Sequence, residues 1–280
     1  MAFLLSTGAS SEFHQRERIP LTGKVLPFDD KPGPYTYQSV IIHYKSKDFA
    51  SIEATLLTPD STDPKPGLIF VHMWARDRNT FWGLPEYLAT YGYPSIYLDL
   101  RGHGNSNFPY DKPDKKITIS DTDKNYSGFY MDILPAIEIM MVHKNVKEKQ
   151  LILIAASLGC PLGVKAVAQY KDHFIGMIHM SPAVVYFDVD CKKDLKELTH
   201  LPTFVILEKT DKSFGGGQKF FSIPDQYKTL LVVDKIGHGT DMLFHNIGFP
   251  TLIRTWMEHI EYLSPWLTKL REKQFLIESR

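Results

Sequence analysis

Five residues, Ala155-Ala156-Ser157-Leu158-Gly159, set a serine among small neighbours where an apolar run gives way to a helix-like stretch. A serine exposed on a sharp strand-to-helix turn can attack a carbonyl carbon. Its backbone is strained there, and bulk two residues to either side would strike the adjoining strand and helix. The helix that follows aims free N–H groups and the positive end of its dipole at a developing oxyanion. A serine before a helix is also an ordinary N-cap, so this turn does not decide the matter alone. A hydroxyl is a poor nucleophile at neutral pH and needs a base beside it. Two later loops hold the other residue types required: Glu208-Lys209-Thr210-Asp211, and Lys235-Ile236-Gly237-His238-Gly239-Thr240.

The elements that must position these groups show as short apolar runs. Val40, Ile42 and Tyr44, then Ile52, Ala54 and Leu56, alternate with their neighbours on either side of a Lys-Asp turn region, which predicts an antiparallel strand pair. Six further runs follow: Leu68–Val71, Ser95–Leu98, Leu151–Ile154, Phe174–Ile178, Thr203–Leu207 and Leu230–Val233. Each is apolar on both faces, as strands of a parallel sheet covered on both sides are. Between them lie helical faces at Leu84, Tyr87, Leu88 and Tyr91, at Tyr130, Ile133, Leu134 and Ile137, and at Leu252, Ile253, Trp256, Met257 and Ile260. The alternation predicts a doubly wound, mostly parallel sheet of eight strands with an antiparallel pair at its start. Residues 1–34, polar and broken by Pro20, Pro27, Pro32, Gly33 and Pro34, are expected to form an extended arm ahead of a single domain over 35–280.

Composition narrows the chemistry. The chain has 280 residues, 32 Lys plus Arg against 32 Asp plus Glu, and 43% hydrophobic residues. Zero net charge argues against a nucleic-acid binder, an acidic tail or a polybasic anchor. No apolar stretch is long enough for a membrane span, and the first residues do not form a signal peptide. The compartment stays open, the cytoplasm being favoured over export with a removed signal. Cys160 and Cys191 form no CxxC, HExxH is absent, and neither a phosphate loop nor a full dinucleotide fingerprint occurs. No metal and no cofactor are expected. Cys160 is expected to pack as a small hydrophobe.

The serine turn, together with Asp99-Leu100-Arg101-Gly102-His103-Gly104-Asn105-Ser106 after the second parallel run and His72-Met73-Trp74 after the first, resembles the α/β-hydrolase fold superfamily, in particular its esterase and lysophospholipase-like members. The resemblance spans roughly residues 37 to 262. It implies the chain order Ser, then Asp or Glu, then His. Ser157, Asp211 and His238 stand in that order, each just past the end of an apolar run, where a doubly wound sheet collects its ligands. The chemistry then gives roles: Ser157 as nucleophile, His238 as general base and acid, Asp211 as the carboxylate that orients the imidazole. Glu208 and Asp234 are the rival carboxylates, Asp234 being expected inside a strand. His245, on an expected helix, and His179, expected to pack, are the rival histidines. His72 and His103 are expected to bond within their loops.

The resemblance also implies an oxyanion hole built from the Leu158 N–H and from a donor in the loop after the first parallel run. The family pattern His-Gly-x places that donor at Trp74. Met73 stands where the family has glycine, which leaves Met73 as the alternative donor. The Trp74 indole is expected either to wall the acyl site or simply to join the core. Only Ser181 to His200 lies where many relatives insert a cap, so little or no cap domain is expected, with a short loop over 184–190 and one helix over 192–197. Phe108 to Tyr126 is a polar excursion that overhangs the site, Gly215-Gly216-Gly217 a mobile loop or surface turn, and the tail beyond Pro265 a separate amphipathic helix. The expected function is hydrolysis of a small-molecule ester through an acyl-enzyme. An amidase or exopeptidase with the same triad is the alternative, and a binding protein on the same scaffold a third reading. A monomer and a homodimer are both compatible with the sequence.

Overall fold

The apolar runs become strands because each is short, rich in branched residues and closed by turn residues. In the computed structural model, residues 31–107, 125–223, 227–245 and 248–278 are described, with backbone alone for 266–278. In chain order the elements are β1 (Tyr37–Lys45), β2 (Ser51–Pro59), β3 (Lys65–Val71), α1 (Leu84–Thr90), β4 (Ser95–Leu98), α2 (Ile133–Met141), β5 (Val146–Ala156), α3 (Gly159–Gln169), β6 (Phe174–Met180), β7 (Val185–Tyr186), β8 (Val189–Asp190), α4 (Lys192–Glu197), β9 (Thr203–Glu208), α5 (Phe214–Ser222), β10 (Lys228–Val233), α6 (Asp241–His245) and α7 (Phe249–Glu278).

Among the described residues, eight of these strands form one sheet in the order β1-β2-β4-β3-β5-β6-β9-β10. β1 and β4 both run antiparallel to β2, and the strands from β4 to β10 run parallel to one another. Side chains on β5 alternate between two cores. Leu151, Leu153 and Ala155 join Ile137, Val164 and Phe220 on one face, while Ile152, Ile154 and Ala156 join Tyr87, Ile253 and Met257 on the other. Fully burying a Leu, Ile or Phe side chain stabilises by about 1.5–3 kcal/mol, which is why a strand apolar on both faces must be covered on both. The chain reverses direction across the sheet between β4 and β5. A doubly wound sheet opens its binding crevice at such a switch point, beyond the strand ends.

Several expectations change. Gly215–Gly217 is not a loop but the first part of α5. Glycine disfavours a helix by about 1 kcal/mol relative to alanine, yet a Cβ on Gly217 would meet Leu207 at 2.2 Å, so close packing against β9 requires it. The segment 184–190 is a small hairpin rather than a plain loop. The tail beyond Pro265 continues α7 instead of starting a new helix. Pro265 lacks the N–H that would reach the Glu261 carbonyl, and the Ser264 Oγ donates to that carbonyl instead at 3.0 Å. Asp234 lies one residue past β10 and is exposed. Of the expected arm, residues 1–30 lie outside the described residues. Its end touches α1, with the Gly33 N–H on Thr90 Oγ1 at 2.8 Å and the Tyr91 hydroxyl on the Lys31 carbonyl at 2.8 Å. The excursion at 108–124 and the side chains of the tail also lie outside the described residues. No helix among the described residues is long and apolar enough to cross a membrane.

Candidate active site

β5 delivers Ser157 into a tight turn. Its φ of 49° is left-handed, a conformation costly for a residue with a side chain. The turn is held from below: the Ser157 N–H donates to the Met180 carbonyl at 2.9 Å, and the Cys160 N–H donates to the Ser157 carbonyl at 2.9 Å. Gly159 is needed for the same reason, since a Cβ there would sit 2.4 Å from the Val71 carbonyl oxygen. Pro161 stands in the first turn of α3, where its missing N–H leaves no bond unmade.

The three sequence-predicted residues meet. His238 Nε2 lies 2.7 Å from Ser157 Oγ, and His238 Nδ1 lies 2.5 Å from Asp211 Oδ2. An ionised carboxylate only accepts, so Nδ1 carries the proton and Nε2 is free to accept the serine hydroxyl proton. Burial alone would raise the Asp211 carboxyl, but bonds from His238 and from the Ser213 N–H outweigh it and hold it well below the usual carboxylate range. His238 rides on a contorted loop, with Lys235, Gly237 and Gly239 all at positive φ.

The rivals are engaged elsewhere. Glu208 accepts the N–H groups of Thr210 at 3.0 Å and Lys235 at 2.7 Å, which hold its pKa down and tie the Asp211 loop to the His238 loop. His245 is exposed at the end of α6. His72 donates from Nδ1 to the Met73 carbonyl at 2.7 Å and accepts the Leu100 N–H on Nε2 at 3.0 Å. His103 sits beside it, its ring contacting the Arg101 carbonyl. The Cys160 thiol is buried, its pKa pushed well up by that burial.

Met73, where the resemblance implies glycine, turns its side chain under the His238 loop. A Cβ on Gly239 would come 2.6 Å from Met73 Sδ, and Thr240 Oγ1 lies 3.6 Å from that sulfur. Trp74 is half-buried. Its indole N–H donates to the Tyr126 hydroxyl at 3.0 Å, and its ring meets Phe187 edge-on at 5.7 Å. Phe187 in turn stacks on Tyr126 at 4.7 Å. Asp188, at the hairpin tip, accepts the N–H groups of Tyr126 at 2.8 Å and Ser127 at 3.0 Å, which fastens the hairpin to this aromatic group. Phe187 and Asp188 were not among the sequence candidates; an Asp beside an aromatic between two short β-prone pairs is their only signal.

Behind the site, His179 is fully buried, edge-on to Phe220 at 4.8 Å, and neither ring nitrogen has a hydrogen-bond partner among the described residues. Burial takes its pKa down to about 3, and burial aided by His103 takes His72 down to about 3. The unfolded chain binds both protons near the ordinary value of about 6.5. The stability tied to these neutral rings is therefore complete above that pH and is lost as the pH falls from there toward 3, by about 1.4 kcal/mol per pH unit for each ring. Replacing His179 with leucine is expected to flatten that dependence in urea unfolding between about pH 7 and 4.5. A slope equal to that of the wild type would mean that another group takes up the proton.

Residues 66–215 match the family model for the alpha/beta hydrolase fold. Solved structures share the architecture at low identity. An acetyl xylan esterase 1 from Thermoanaerobacterium sp. superposes with a TM-score of 0.63 at 14% identity, covering 83% of this chain and 86% of that one. A dienelactone hydrolase from Anabaena variabilis gives 0.61 at 13% identity, with 79% and 96% covered. An esterase from Exiguobacterium antarcticum gives 0.58 at 13%, with 77% and 98% covered. No curated protein matches the chain by sequence. The family model covers more than half of the chain, and the strand order places the serine turn at the sheet's switch point. The chain belongs to the alpha/beta hydrolase fold family.

Proposed function

We propose that the protein is a serine hydrolase that cleaves carboxylic esters of small substrates through an acyl-enzyme. The observation that carries this reading is the continuous relay from Ser157 Oγ through His238 to Asp211, assembled from three strand ends. In the proposed reaction His238 Nε2 takes the hydroxyl proton as Ser157 Oγ bonds to the ester carbonyl carbon. The imidazolium returns that proton to the departing alkoxide. Water, deprotonated by the same ring, then releases the acid and frees the serine. Asp211 stays ionised throughout and holds the ring in the working tautomer.

Peptide geometry supports the choice of oxyanion donors. All described peptides are trans, and in a trans peptide the N–H points opposite to the preceding carbonyl. The Met73 carbonyl faces His72 and Arg76, so the Trp74 N–H points the other way. The His72 carbonyl faces Gly159, so the Met73 N–H points away from the serine turn. The Ser157 carbonyl is taken by Cys160, which leaves the Leu158 N–H directed oppositely. Trp74 and Leu158 are therefore the proposed pair, with Trp74, Tyr126 and Phe187 walling a small acyl site. The esterase names among the structural relatives favour ester over amide, and the machinery is assigned to one domain over 35–280.

A series of p-nitrophenyl esters of increasing acyl length, set against matched anilides, tests this. Ester turnover that declines with chain length is expected, together with a fluorophosphonate adduct mapped to Ser157 by peptide mass spectrometry. A folded protein that hydrolyses none of the esters and takes no adduct would reverse the reading in favour of a binding protein.

A further inference from the structure

Ser181 follows directly on β6, is 1% exposed and has a φ of 50°, so its backbone is held in a conformation that costs it energy. Its N–H donates to the Ile206 carbonyl at 2.9 Å, which locks it onto β9. Its Oγ donates to Asp211 Oδ2 at 2.9 Å, the same oxygen that accepts the His238 Nδ1–H. That Oγ also accepts the Gly239 N–H at 3.0 Å, from the residue after His238. The preceding residue, Met180, accepts the Ser157 N–H through its carbonyl. Two consecutive residues at the end of one central strand thus touch the segments carrying the nucleophile, the base and the carboxylate. The single hydroxyl proton goes to the carboxylate, and one lone pair takes the amide.

We infer that Ser181 is a positioning residue for the reaction: its hydroxyl fixes the rotation of the Asp211 carboxylate and the seat of the His238 loop, and so holds the imidazole against Ser157. This rests on the reading of Ser157, His238 and Asp211 as the reacting triad. Ser181 bonds neither to Ser157 Oγ nor to the proposed oxyanion donors, so its effect falls on the chemical step and not on substrate affinity. Outer partners of a reacting group are commonly worth about 10- to 100-fold.

The test compares Ser181→Ala, Ser181→Gly and Ser181→Cys. Alanine and glycine are expected to lower kcat alike, by about 10- to 100-fold, with KM within about twofold of the wild type. Cysteine, a weaker donor, is expected to recover part of the loss. Glycine tolerates positive φ, so Ser181→Gly is expected to melt no lower than Ser181→Ala despite equal activity. A role in folding alone predicts the opposite pattern, with glycine more active than alanine in step with its melting temperature. The far-downfield proton resonance of the His238 Nδ1–H supplies a reading that needs no substrate, and it is expected to move in both the alanine and glycine variants. If Ser181→Ala does not fold, Ser181→Cys carries the comparison. Wild-type kcat in the variants, or an unmoved resonance, overturns the inference while the triad stands. Inactivity of the wild type toward every ester and probe overturns the triad and this inference with it.

Discussion

Ser157→Ala is expected to lower kcat by about a millionfold and to abolish fluorophosphonate labelling, with the melting temperature held or raised. The expected loss is large because the proposed mechanism has the hydroxyl, the ring and the carboxylate act as one unit. His238→Ala is expected to match it, and the double variant to fall no further. Asp211→Asn keeps the shape but favours the wrong tautomer at His238, for an expected loss of about ten-thousandfold. Stability should not follow activity: alanine keeps the strained φ of 49°, and the serine hydroxyl contributes one bond, to a ring that is a third exposed. Steady-state kinetics on a p-nitrophenyl ester and a thermal melt read both. Turnover in Ser157→Ala near the wild-type rate would sink the assignment of the nucleophile.

The largest effect on stability is expected from Arg78→Leu. The Arg78 guanidinium is buried between Asp99 and Glu53, and its Nε donates to Thr55 Oγ1 at 3.0 Å. Asp99 also accepts the N–H groups of Arg78 and Asn105, each at 2.8 Å, and Asn105 Nδ2 donates to Glu53 at 2.6 Å. Removing the cation leaves two carboxylates in a site that already penalises charge, since burial raises the Asp99 pKa. Breaking a buried pair in this way costs about 3–5 kcal/mol. Lysine at this position restores the charge but not the forked geometry, and is expected to recover only part of the loss. The network also reaches the site. Asp99 leads into Leu100, whose N–H holds His72, which in turn orients the Met73 carbonyl. Urea unfolding gives the stability; kcat on the same ester should fall as well. A midpoint unchanged from the wild type would show that the carboxylates find other partners or protons.

The parts of this protein legible in the sequence are those where local chemistry and tertiary need coincide. Runs such as Leu151–Ile154 are apolar on both faces only because both faces are covered, so their number and class could be read directly. The serine turn shows itself because close approach to β3 demands a small residue at Gly159. Lys192–Glu197 is helical as expected, its polar residues facing outward around Leu195. Other features depend on contacts between distant residues. Gly215–Gly217 has the composition of a loop, and only Leu207 and Ala183 pressing on it make a helix of small residues favourable. Met73 stands where the resemblance implies glycine, and Gly239, far along the chain, makes the space that accepts its side chain. Ser181 carries no signal of its own type. Its position matters because the strand order sets β6 between β5 and β9, and periodicity says nothing of strand order.

The sheet's last strand bears on how the proposed activity would fail. Among the described residues β10 pairs with β9 alone, and its Leu230 and Val232 are among the exposed large hydrophobics. Edge segments with little buried surface exchange their amide hydrogens through small local openings rather than through global unfolding. His238 hangs from that strand, whereas Ser157 is anchored at the end of β5, three strands further in. With the roles proposed above, an opening of β10 would withdraw the proposed base from a proposed nucleophile that stays in place. Under the proposed mechanism, activity is therefore expected to depend on the free energy of opening one edge and to be lost while most of the sheet is still native.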